Sequence, residues 1–98
     1  MFVIDLHYTA PLSAIDATMG EHMKFLKACY QANLFLASGR KVPRTGGIIL
    51  ATGSSREAIE ELIRQDPFVS KGLATANVTE FQTSQLHPRL KEVIQSIG

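Results

Sequence analysis

His22 is the side chain of this sequence best suited to chemistry near neutral pH, and it lies within Gly20-Glu21-His22-Met23-Lys24-Phe25-Leu26-Lys27-Ala28-Cys29. Imidazole titrates close to neutrality and serves as general acid, general base or metal ligand. Met19, Met23 and Leu26 surround it at spacings of four and three, the period of one helix face. An imidazole in such a stripe is either a core residue bonded to a backbone carbonyl or the polar point of a site, and periodicity leaves both open.

Asp66 is a second candidate, in Gln65-Asp66-Pro67-Phe68. A carboxylate on one imidazole nitrogen fixes the tautomer and supports the cation when the other nitrogen takes a proton. Aspartate before proline also caps turns, which alone explains the motif. Ser38 and Gly39 close an apolar run; they end a strand, or the serine presents its hydroxyl to a substrate or to His22. No nucleophile-elbow pattern surrounds Ser38, so an acyl-transfer triad is not expected. Arg40, Lys41 and Arg44 form the local basic cluster. Such a cluster is commonly a solvated loop, and beside a pocket it steers acidic substrates. Tyr8 shares a strand face with Leu6, which favours core or interface over its other candidate role, substrate contact.

The chain has three histidines and one cysteine. His22 and Cys29 sit roughly 10 Å apart along a helix rising about 1.5 Å per residue, too far to chelate one zinc. His7 and His87 are isolated, so no metal is expected.

The elements that must position these residues follow from the pattern. Phe2, Ile4, Leu6 and Tyr8 alternate with Val3, Asp5 and His7, as in a strand. From about Ser13 the period changes, and Ile15, Met19, His22, Met23, Leu26, Cys29 and Tyr30 mark a long helix closed by Asn33, with Gly20 as a weakness. Leu34 to Gly39 and Ile48 to Thr52 read as two strands of a hairpin, the second introduced by Gly46-Gly47. Ser54 followed by Glu57 is a capping-box pattern. It opens a second helix with Ala58, Ile59, Leu62 and Ile63 inward and Glu60 spaced to pair with Arg64. Pro67 ends that helix. Leu73 to Phe81 forms a fourth strand, and Pro88 starts a helix with Leu90, Val93, Ile94 and Ile97 on one face.

This order is α+β, the ferredoxin-like βαββαβ arrangement with a C-terminal helix: a four-stranded antiparallel sheet with two helices on one face. Leu34 to Ala37 and Ile48 to Ala51 are apolar at consecutive positions, whereas a sheet with one wet face alternates. A second copy of the chain, sheet against sheet, is the expected cover. Residues 1–98 form one domain, with 83–98 as an extension.

Ten Lys and Arg against nine Asp and Glu leave a formal charge of +1, too little to attract a polyanion or an anionic membrane. The ferredoxin-like topology also serves RNA recognition, which stacks bases on aromatic residues of the central strands; Gly46-Gly47-Ile48-Ile49-Leu50-Ala51 has none. Neither nucleic acid nor membrane is an expected partner. No intramolecular disulfide is available to one cysteine, and the N-terminus lacks a signal-peptide pattern. The expected setting is cytoplasmic.

Four segments in register, "FVIDLHYTAPL", "EHMKFL", "ASGRKVPRTGGIILA" and "DPFVSKGLA", resemble the YciI-like family from about Phe2 to Phe81. The resemblance implies the dimeric α+β barrel, ferredoxin-like protomers joined through their sheets. It also implies a His-Asp pair in a pocket, here His22 and Asp66, with the Ser-Gly pair beside it at Ser38 and Gly39. Many members continue Ser-Gly-Pro; Arg40 stands there instead and alters loop shape and charge at the pocket mouth. One branch of the family resembles an enzyme that removes chloride from a chlorinated hydroxyquinol, and relatives sharing the barrel include cofactor-free lactone isomerases and heme-free monooxygenases.

The resemblance therefore implies a small cofactor-free acid/base enzyme of lyase, dehalogenase or isomerase type, acting on a small cyclic or carbonyl-bearing molecule through His22 and Asp66. Substrate contacts would come from Ser38, Gly39, Arg40 and Tyr8. The alternative is a non-catalytic dimeric module that binds a small molecule or a protein in the same cleft.

Overall fold

The chain runs β1 (Phe2–Tyr8), α1 (Leu12–Gln31), β2 (Phe35–Arg40), β3 (Gly46–Ala51), α2 (Arg56–Ile63), α3 (Pro67–Ser70), β4 (Ala74–Glu80) and α4 (Pro88–Ile97). The computed structural model describes the backbone of residues 1–97 and the side chains of residues 1–94. The four strands form one sheet in the order β2-β3-β1-β4, every neighbouring pair antiparallel. This is the ferredoxin-like arrangement expected from the order of periodicities.

Register explains the core. Ile4 stands opposite Ile49 on one side and Val78 on the other, and all three are buried. Phe2, Leu6, Phe35 and Ala51 extend this apolar layer, which α1 covers with Leu26 and Cys29 and α2 with Ile59 and Ile63. Ile15, Phe68 and Ala74 form a smaller cluster flanked by Tyr8, Met19 and Leu73. Gly46 lies where β1 and β3 meet, and a Cβ there would collide with the Leu6 carbonyl oxygen, so the pairing excludes any side chain.

The buried residues of α1 are Ile15, Thr18, His22, Leu26 and Cys29. The stripe is narrower than the apolar residues of the sequence suggest: Met23 is 54% and Tyr30 37% exposed, while Thr18 is buried among the inward positions. Asn33 adopts φ 61° and the Leu34 N–H returns to the Cys29 carbonyl at 2.9 Å, closing the helix.

Several local expectations are corrected by one shared cause, neighbouring residues that satisfy the same rule. Ser55, not Ser54, caps α2, accepting from the Ala58 N–H at 3.1 Å. Glu60 bonds Arg56, one turn before it, and Arg64 pairs with Glu61 instead. Ala58 is exposed, leaving Ile59 and Ile63 as the buried residues of α2. Pro67 does more than stop a helix: it is the first residue of α3, a position that needs no N–H.

The sheet face turned away from the helices carries Val3, Ile48 and Leu50 among Asp5, His7, Thr75 and Asn77. Ile48 is 39% exposed there. The long axis of the molecule measures 40 Å against 24 and 21 Å for the others. Ile97, expected on the apolar face of α4, lies outside the described side chains. Among the described residues no helix is long and apolar enough to cross a membrane.

Candidate active site

His22 and Asp66 come from elements 44 residues apart and meet in the interior: His22 Nδ1 lies 2.8 Å from Asp66 Oδ1. The helical period puts His22 in the middle of the buried stripe of α1, with only 10% of its side chain exposed. Asp66 is held by a different rule. It is the N-cap of α3, and the same Oδ1 accepts the Phe68 N–H at 3.0 Å. The turn cap and the histidine partner are thus one atom, so capping the turn and meeting His22 do not compete.

A carboxylate accepts and cannot donate, so Nδ1 of His22 carries the proton in this pair. Nε2 is left with no hydrogen bond among the described residues, and it is not sealed from solvent. It holds a lone pair in the neutral ring and a proton in the cation, which is what general acid/base work requires. Asp66 is fully buried, and its Oδ2 has no hydrogen-bond partner among the described residues. A buried carboxylate with an unpartnered oxygen is costly, and the His22 and Phe68 N–H groups on Oδ1 are what offset that cost.

Phe68 orients the ring from the other side, stacked on His22 with centroids 4.0 Å apart and planes 11° from parallel. Tyr8 meets Phe68 edge-on at 5.8 Å and 84°. Tyr8 therefore touches the aromatic wall of the site. Sequence reasoning gave Phe68 no role, although its place two residues after Asp66 in one turn was the available signal.

The remaining candidates lie elsewhere. Ser38 shares the helix-facing side of β2 with Arg40, and its Oγ is 2.7 Å from the Tyr30 hydroxyl, not bonded to His22. Gly39 faces the opposite side of the sheet, beside Ile48. Arg40 is exposed, and its charge is felt by Asp16. Arg44 bonds Asp16 directly, and that guanidinium holds the Asp16 carboxyl below its ordinary value. Burial, reinforced by the nearby Asp66, pushes the Cys29 thiol up, which keeps it protonated and unreactive. Among the described residues no three His, Cys, Asp or Glu converge as metal ligands do.

A profile for the YCII-related domain matches residues 1–82. The chain belongs to the YCII-related family. No curated protein matches it. Among solved structures, it is similar to a 5-chloro-2-hydroxyhydroquinone dehydrochlorinase from Burkholderia phenoliruptrix in complex with 2,5-dihydroxybenzoquinone, at a TM-score of 0.70 and 16% identity. The superposition covers 86% of this chain and 96% of the other. At that identity the likeness establishes a shared fold for this YCII-related chain.

Proposed function

We propose that the chain is a small acid/base enzyme in which His22 Nε2 moves the proton and Asp66 orients and supports the imidazole. The observation that carries this reading is the buried Nδ1 to Oδ1 bond of 2.8 Å, which commits one ring nitrogen and leaves the other open. The dehydrochlorinase that shares the fold acts on a small hydroxylated ring, and this supports a cyclic or carbonyl-bearing substrate for a lyase, dehalogenase or isomerase.

In such a reaction Nε2 takes a proton from a carbon or hydroxyl activated by an adjacent carbonyl. The electron pair released forms a double bond and either expels a leaving group such as chloride, which departs with its own pair, or is re-protonated elsewhere by the imidazolium. The cation formed in the first half lies against Asp66. Partners proposed are the small molecule and a second copy across the outer sheet face, in a cytoplasmic setting that agrees with a buried free thiol.

A specific observation favours the non-catalytic alternative as second reading. Asp66 caps α3 with the oxygen that meets His22, so the pair has a structural reason to exist. Turnover separates the two. Chloride release from 5-chloro-2-hydroxyhydroquinone and deuterium uptake from D2O by cyclic ketones and lactones are measured for the native chain and His22→Ala. An acid/base role predicts a loss of about 10²- to 10⁴-fold in the variant. Unchanged rates in a folded variant would sink the dyad, and turnover of none of these classes by the native chain supports the binding module.

A further inference from the structure

Away from the His22–Asp66 pair, α1 and β2 enclose an open groove of about 480 Å³ that neither residue lines. That volume lies within the range of small-molecule sites, roughly 300–1,000 Å³. Met23, Leu26 and Tyr30 give it an apolar floor, Lys24 and Lys27 stand along it, and Ser38 closes one wall.

The two lysines along the groove lack the carboxylate partners that most cations of the domain have. Of the Lys and Arg within residues 1–82, Lys41, Arg44, Arg56, Arg64 and Lys71 each pair with a carboxylate. Lys24, Lys27 and Arg40, the last on the same side of β2 as Ser38, have no such partner among the described residues, and Glu21, the acidic residue one turn before Lys24, is engaged by Lys71. Two like charges three residues apart on a helix repel each other. An anion between them relieves that repulsion. The Tyr30 and Ser38 hydroxyls bond each other at 2.7 Å, which uses one of their two protons and leaves the other for an acceptor.

We propose that this groove binds an amphipathic organic monoanion, its apolar body on Met23, Leu26 and Tyr30 and its carboxylate between Lys24 and Lys27. Charge disfavours the tail of a second copy as occupant, since α4 carries Arg89 and Lys91 against the single carboxylate of Glu92 and would bring net positive charge to cations. The site is independent of the dyad: it requires no chemistry at His22, and His22 can act on another molecule without it.

The test uses octanoate and the uncharged octanamide as probes, titrated into the full chain with ¹³C-labelled methionine methyl groups. Octanoate shifts the Met23 methyl saturably and leaves Met1 unmoved. Octanamide binds about fivefold more weakly, the scale of two screened surface charge contacts, and only octanoate binding weakens as salt is raised. The Lys24→Gln/Lys27→Gln double variant, altered only at exposed positions, brings octanoate to the affinity of octanamide. Equal affinity of acid and amide, no saturable shift at Met23, or an octanoate affinity that ignores the double variant would each overturn the proposal. So would dissociation of an oligomer by Met23→Glu in sedimentation velocity, because the groove would then be a protein interface. Asp66→Asn leaves octanoate binding unchanged, so failure here and failure of the acid/base reading are separate results.

Discussion

Replacing Asp66 with alanine removes two contacts made by one oxygen atom, the α3 cap and the His22 bond. A lost cap costs about 1 kcal/mol and a buried donor left without an acceptor roughly 1–3. Asp66→Ala is therefore expected to lower unfolding stability by roughly 2–4 kcal/mol, read as a lower urea midpoint at constant m-value. Asp66→Asn keeps an acceptor oxygen and should fall between alanine and the native chain. A loss below about 0.5 kcal/mol for alanine, the scatter of ordinary surface substitutions, would mean that the shared oxygen stabilises nothing. Phe68 belongs to the same argument, because the ring stacked at 4.0 Å leaves the imidazole little freedom to leave Asp66.

At the scale of elements, the Asp16–Arg44 ion pair ties the start of α1 to the loop between β2 and β3. The Asp16 pKa is held below 3.8, first by its hydrogen bond to Arg44. A depressed carboxyl pKa stabilises the fold above the unfolded value and loses that contribution as pH falls through the folded one. The melting-temperature difference between the native chain and Asp16→Asn should thus be small and level above about pH 5 and shrink toward zero below about pH 3. A difference that grows on acidification would contradict the pairing. The element order was legible because alternation and the helical repeat differ so plainly between Phe2–Tyr8 and Leu12–Gln31. What was not legible was choice among equivalent neighbours: Ser54 or Ser55 as the cap, Arg56 or Arg64 for Glu60. Only the path of the backbone decides these. The meeting of His22 with Asp66 lay beyond local pattern as well, since nothing in spacing joins residues 44 apart; there the family resemblance supplied what periodicity could not. The Tyr30–Ser38 bond had no such signal.

For the whole molecule, the outer sheet face is where the proposed assembly would form. Val3, Ile48 and Leu50 lie on it beside polar residues, and a chain of this size hides a limited fraction of its surface alone. We expect a dimer in sedimentation equilibrium at low micromolar concentration, with an interface of roughly 800 Å² per partner. Ile48→Glu should convert it to a folded monomer, because a charge at the centre of an apolar contact is left without a partner. A native chain that sediments as a monomer would remove the sheet-to-sheet reading.

The oxygen shared between α3 and His22 also bears on descent. A lineage that abandoned the chemistry would still lose stability on losing Asp66, and drift would be slow to erase the pair. A histidine facing an aspartate at these positions can thus outlive the reaction it once served, and turnover, not the presence of the two side chains, distinguishes a working relative from a retired one.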